Sequence, residues 1–129
     1  MSSYDKYEQC YAFAWVGDIY MMEKILNSGA NPNKSRDNNQ TPCFAAARNN
    51  HYQIIEILLA HGADPNKTNK WNWSPCFVAA CSGHFESLEV LINHGANPNI
   101  LTNKGQSSID VASGSAKFLL ENPGTGAGW

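Results

Sequence analysis

"TPCFAAARNNHYQIIEILLAHGADPN", Thr41 to Asn66, is matched without a gap by "SPCFVAACSGHFESLEVLINHGANPN", Ser74 to Asn99. Each residue stands 33 positions from its counterpart. The same frame holds upstream, where "CYAFAWVGDIYMMEKILNSGANPN" runs from Cys10. Downstream, "SSIDVASGSAKFLLEN" from Ser107 follows it and then runs short. The endings "GANPN" (Gly29–Asn33), "GADPN" (Gly62–Asn66) and "GANPN" (Gly95–Asn99) mark each unit's close. A fixed period in this range signals a stack of supersecondary units, none of which can bury its apolar face alone.

Each unit reads locally as helix, turn, helix, finger. Thr41-Pro42 and Ser74-Pro75 pair an N-cap hydroxyl with a proline at the first helical position, where its missing N–H costs nothing. Gly17, Asn50 and Gly83 follow the short first helix, where the chain must reverse and left-handed dihedrals are useful. The second helix, His51 to His61, carries Ile54, Ile55, Leu58 and Leu59 at helical spacing. Gly62 ends it as a C-terminal cap, and Pro65 prevents continuation. The polar "KTNKWNW", Lys67 to Trp73, is expected as an extended finger with a turn at Asn72, which matches Asn39 and Gly105.

The units expected are 1–35, 36–68, 69–101 and 102–122, one array over 1–122, with a flexible Gly-rich tail at 123–129. The first unit lacks Thr-Pro and is expected to open with a longer helix capped by Ser2, with Asp5 nearby. In the last, Lys117–Glu121 is expected as a clipped second helix. Atypical end units are what caps of an array should be.

The 33-residue unit with Thr-Pro, the alanine pairs Ala46-Ala47 and Ala79-Ala80, and the Gly-Ala-Asp/Asn-x-Asn ending resembles the ankyrin repeat. The resemblance runs from Ser3 to about Asn122. It implies an all-α solenoid of stacked helix-turn-helix units with β-hairpin fingers. It also implies a concave side of fingers and first helices that docks a protein partner. Phe44 and Phe77 stand where most members carry histidine, and Cys43 and Cys76 where most carry leucine. An apolar ladder of Tyr11, Phe44 and Phe77 is expected to replace the family's inter-repeat histidine network.

Composition narrows the function classes. The 129 residues are 43% hydrophobic and 16% charged, with net charge −2, which argues against a general nucleic-acid binder. No apolar run approaches the ~20 residues of a membrane span, and "MSSYDKYEQC" does not read as a secretory signal. The expectation is a cytoplasmic or nuclear monomer with no membrane partner. Cys10, Cys43 and Cys76 recur at the repeat lag on helices that pack ~8–10 Å apart, too far for disulfides, so they read as small buried hydrophobes. Cys81 reads as a free thiol. A zinc site from Cys76, Cys81 and His84 fails because two cysteines five apart on a helix diverge by about 140°, and a fourth ligand is missing. His51, His61, His84 and His94 read as structural or solvated. No nucleophile elbow, phosphate loop or paired-carboxylate arrangement occurs. No catalytic activity, metal or cofactor is expected.

The resemblance directs one set of side chains toward the groove. These are Trp15; Asp37, Asn38, Gln40, Arg48 and Asn49; Lys70, Trp71, Trp73, Cys81 and Ser82; and Asn103, Lys104 and Gln106. On an extended strand, residues two apart point the same way, so Trp71 and Trp73 are expected to form one aromatic surface. The competing expectation is that one indole packs against Phe77 or the neighbouring finger. The fingers hold Lys34, Arg36, Lys67, Lys70 and Lys104 against Asp37 and Asp64, which favours an acidic or phosphorylated segment as partner. Two other readings stay open: a small-ligand or nucleotide-binding array, and a fragment of a larger ankyrin protein.

Overall fold

The Thr41 hydroxyl accepts from the Phe44 N–H at 3.1 Å, and the Ser74 hydroxyl from the Phe77 N–H at 3.0 Å. Both caps are followed by proline at the helix start, as the dipeptides imply. The computed structural model describes residues 3–122, with side chains from Gln9 onward. The Ser2 cap, the Asp5 side chain and the tail 123–129 lie outside the described residues.

Eight α-helices are described, in four pairs: α1 (Ser3–Val16) with α2 (Ile19–Asn27), α3 (Pro42–Arg48) with α4 (Tyr52–Ala60), α5 (Pro75–Ser82) with α6 (Phe85–Asn93), and α7 (Ser108–Val111) with α8 (Gly114–Glu121). The first helices α1, α3, α5 and α7 pack in one row and the second helices in another. Ala45, Ala46 and Ala47, with Val78, Ala79 and Ala80, are buried between them. Small side chains there let successive first helices approach closely. From the second helices Ile54, Ile55, Leu58, Leu88 and Leu91 enter the core, each contributing roughly 1.5–3 kcal/mol by burial. No described helix is long and apolar enough to cross a membrane.

The Gly-Ala-Asp/Asn-Pro-Asn endings form a ladder of their own. Gly62 takes φ of 91° just after α4, and the buried Ala63 donates its N–H to the Leu58 carbonyl at 3.0 Å. Asp64 accepts from the Asn66 N–H within its own loop. The Asn33 and Asn66 carboxamides then accept from the next unit's Asp64 and Asn97 N–H groups at 2.6 and 2.7 Å. The motif recurs because each copy holds the next.

Two expectations need correction. The first concerns the fingers, whose β-hairpins the fold does not confirm: among the described residues there is no strand, and the pairing is limited to an isolated antiparallel Arg36–Gln40 bridge. Each finger has a backbone bond across three residues, from the N–H of Arg36, Asn69 and Thr102 to the carbonyls of Gln40, Trp73 and Gln106, at 2.9–3.0 Å, and in the last two the Asn72 and Gly105 N–H groups also return to Asn69 and Thr102. Left-handed Asn39, Asn72 and Gly105 bend the chain at once into the next helix, which leaves no length for strands. The second correction concerns the last unit. Its second helix is eight residues long, and the clipped one is α7, with four. "VASG" (111–114) has two residues fewer than "VAACSG" (78–83), so the deletion falls on the first helix.

Candidate functional site

Trp71 sits on a backbone fixed from several sides. Its N–H donates to Asn69 Oδ1 at 3.0 Å, and the same oxygen accepts from the Trp73 N–H at 2.9 Å. Its carbonyl accepts from the Asn103 N–H of the next finger at 3.0 Å. The preceding Lys70 N–H donates to Asn38 O of the finger before, at 2.8 Å. Asn72 Nδ2 reaches Leu101 O at 2.7 Å. The residue nevertheless remains 45% exposed, with the Lys70 ammonium 5.8 Å from the indole centroid.

The two tryptophans do not lie along an extended strand. Asn72 between them has φ of 60°, so alternation does not set their directions. Trp73 is half-buried and packs on Phe77, with ring centroids 5.0 Å apart and planes at 57°. Both nevertheless line one groove of about 610 Å3, together with Trp15, Gln40, Phe44, Arg48, Asn69, Asn103, Lys104 and Gln106. The groove therefore takes side chains from all four units, with three tryptophans and Phe44 beside the cations Arg48 and Lys104.

Trp15 is 40% exposed near the end of α1. It stacks on Tyr11 at 6.2 Å, and the Arg48 guanidinium lies 5.7 Å from its ring. Its carbonyl accepts twice from the second unit, from Asn49 Nδ2 at 2.8 Å and His51 Nε2 at 3.0 Å. One unit later, His84 Nε2 donates to the Arg48 carbonyl at 3.0 Å. The two histidines thus brace the helix ends that carry Trp15 and Arg48. A smaller cavity of about 300 Å3 continues past Trp15, lined also by Tyr11, Ala12, Val16 and Arg36. Arg36 lies 4.6 Å over the Tyr11 ring, and the Tyr11 hydroxyl donates to Gln40 at 2.7 Å.

Of the expected groove residues, Trp15, Gln40, Arg48, Trp71, Trp73, Asn103, Lys104 and Gln106 come together. Asp37 and Asn38 stand on the second unit's finger, outside the groove lining. Asn49 is engaged with the Trp15 carbonyl. Cys81 and Ser82 are exposed at the end of α5 but do not line the groove. Lys67 donates to the Asn33 carbonyl at 3.1 Å and so ties two units together.

Phe44 and Asn69 were legible only as core and connection, yet both line the groove. Phe44 reaches it from below at 3% exposure. Asn69 is buried and organises the finger; Thr102, one period later, accepts from Lys104 and Gln106 N–H in the same way. A polar side chain recurring at that place is the signal that could have found it.

Cys10, Cys43 and Cys76 are buried, and Cys81 alone of the four is exposed. Burial pushes the Cys10 thiol up to about 11 and the Cys43 and Cys76 thiols to about 12, far from nucleophile territory. Among the described residues no group of three or more His, Cys, Asp or Glu side chains gathers as a metal would need. Tyr11, Phe44 and Phe77, expected as an apolar ladder, are all buried.

No curated protein matches this chain. The sequence does match the family described as ankyrin repeats (3 copies), over residues 10–102 and again over residues 45–126. With the 33-residue period, the paired helices and the interlocked loops all in agreement, the chain belongs to the ankyrin-repeat family.

Proposed function

We propose that this chain is a non-catalytic protein-binding module that receives a segment of its partner in the groove between fingers and first helices. Ankyrin repeats are in general protein-interaction modules. What supports the finer reading is one observation above others: Trp71 is held on a backbone hydrogen-bonded on both sides while its side chain stays exposed in the groove lining. Exposing an indole costs free energy that a partner can recover, and a preorganised anchor loses little further entropy on binding. The chain is taken to act as a monomer in the cytosol or nucleus.

The test is affinity capture from a lysate with the native chain beside Trp71→Ala and Trp15→Ala variants, all with matched melting temperatures. A specific protein retained by the native chain and lost by both variants is expected, with each truncation costing about 2 kcal/mol of binding. Equal capture by all three would exclude the groove as the docking site.

A further inference from the structure

We infer that the groove's occupant is a short extended segment of another protein in which carboxylates flank an apolar side chain. The inference rests on the groove reading and names the partner's chemistry.

Charge is the first observation. Arg48 and Lys104 line the larger groove, Lys70 stands over Trp71, and Arg36 lines the adjoining cavity. Among the described residues no carboxylate lines either cavity. In the three fingers, residues 36–40, 69–73 and 102–106, Asp37 is the single acid. The whole chain carries −2, so this one surface is cationic against the sign of the rest. Arg48 and Lys70 meet aromatic rings rather than carboxylates among the described residues. Their charge remains available to a ligand, and such a surface speeds the approach of an acidic one.

The distribution of those cations decides between anions. Phosphoryl recognition favours clustered arginines with free, bidentate forks. Here Arg36 lies over Tyr11 and Arg48 over Trp15, while Lys70 and Lys104 stand one each on the last two fingers. Cations spread over successive units match several separate carboxylates better than one dianion. A methylated lysine would suit three indoles alone, but not with cations around them. From Arg48 in the second unit to Lys104 in the fourth is two unit steps, about 20 Å at ~10 Å each. An extended chain covers that in about six residues. The apolar side chain then falls at the centre, over Trp71 and Trp73.

The experiment selects a displayed library of random peptides, each about 12 residues long, on the native chain. Selected peptides are then measured as fluorescein conjugates against Trp71→Ala and the double variant Lys70→Glu/Lys104→Glu. Lys70, Lys104 and Trp71 are exposed, and melting curves check each fold; the charge-reversal pair carries the test should Trp71→Ala melt early. Expected are acidic peptides with a central aromatic or aliphatic residue. Their affinity should fall at least about tenfold on charge reversal and about 30-fold or more on Trp71→Ala, and should weaken as salt is raised.

Enrichment of neutral or basic peptides that still need Trp71 would overturn the acidic partner and leave the groove reading standing. Peptides indifferent to Trp71, or no enrichment, would remove both. Three outcomes would each overturn the proposal in favour of another occupant. One is binding more than about tenfold tighter when a glutamate is replaced by phosphoserine. Another is displacement of the peptide by micromolar ATP. The third is a dimer, seen by sedimentation, that Lys70→Glu/Lys104→Glu dissolves.

Discussion

Asn72 stands between Trp71 and Trp73 with φ of 60°, and its carboxamide is bonded to Thr68 and Leu101. The left-handed turn gives the two indoles different environments. Trp73 packs on Phe77 and belongs partly to the core, whereas Trp71 projects. Trp73→Ala should therefore cost about 2 kcal/mol of stability, and Trp71→Ala no more than about 0.5 kcal/mol, as read by urea denaturation. Equal losses would mean both are packing residues. The sequence raised both uses of the pair, surface and packing, but strand alternation set both indoles on one face. What it lacked was the backbone: one residue in the left-handed region cancels the period of two, and Asn tolerates that region without announcing it.

At the junction of α1 and α2, Gly17 has φ of 82°, and a Cβ there would sit 2.7 Å from the His51 ring. His51 in turn holds the Trp15 carbonyl. Gly17→Ala should cost about 2 kcal/mol, combining dihedral strain with that hydrogen bond. Gly62→Ala, with φ of 91° and open space around it, should cost about 1 kcal/mol. Thermal denaturation of both variants compares them directly. Helix α7 supplies a stabilising counterpart. Ser108 takes the place that Pro42 and Pro75 hold in the inner units. Its hydroxyl is buried with no hydrogen-bond partner among the described residues, and its N–H makes one long bond to Pro98 at 3.4 Å. Ser108→Pro should raise stability by about 1 kcal/mol, visible as a higher melting temperature.

Helix starts, reversals and caps could be read from residues because each has a local cause: Thr-Pro, Asn or Gly at the reversal, Gly-Ala at the end. The last unit was not readable in this way. A two-residue deletion looks alike in the sequence wherever it is placed, and packing against α5 and α6 decides which helix absorbs it.

Across the whole molecule the repeat imposes one arrangement: the first helices form one row, the second helices another, and the loops interlock by asparagine. The column of thiols follows from it. Cys10, Cys43 and Cys76 ionise near 9.0 when exposed but only at about 11 to 12 in the fold. Their folded-state values are raised, so their contribution is intact below pH 9 and is lost as pH climbs from about 9 toward about 12. Melting temperature should hold from pH 7 to about 8.5 and then decline. Replacing Cys43 and Cys76 by alanine should flatten that decline while lowering the plateau. The array's existence and period were fully legible, since repetition survives substitution. The groove was legible in outline because the period assigns each side chain a place. Its shape required the turns that bring Phe44 and Asn69 to its surface.

The most direct measurement is a two-dimensional 1H–15N correlation spectrum of the labelled chain, titrated with the peptide most strongly selected by display. The account predicts that the indole N–H signals of Trp15, Trp71 and Trp73 shift together, with the backbone amides of Lys70 and Lys104. Shifts confined to the second-helix face around Tyr20 and Tyr52, with the three indoles unmoved, would contradict it.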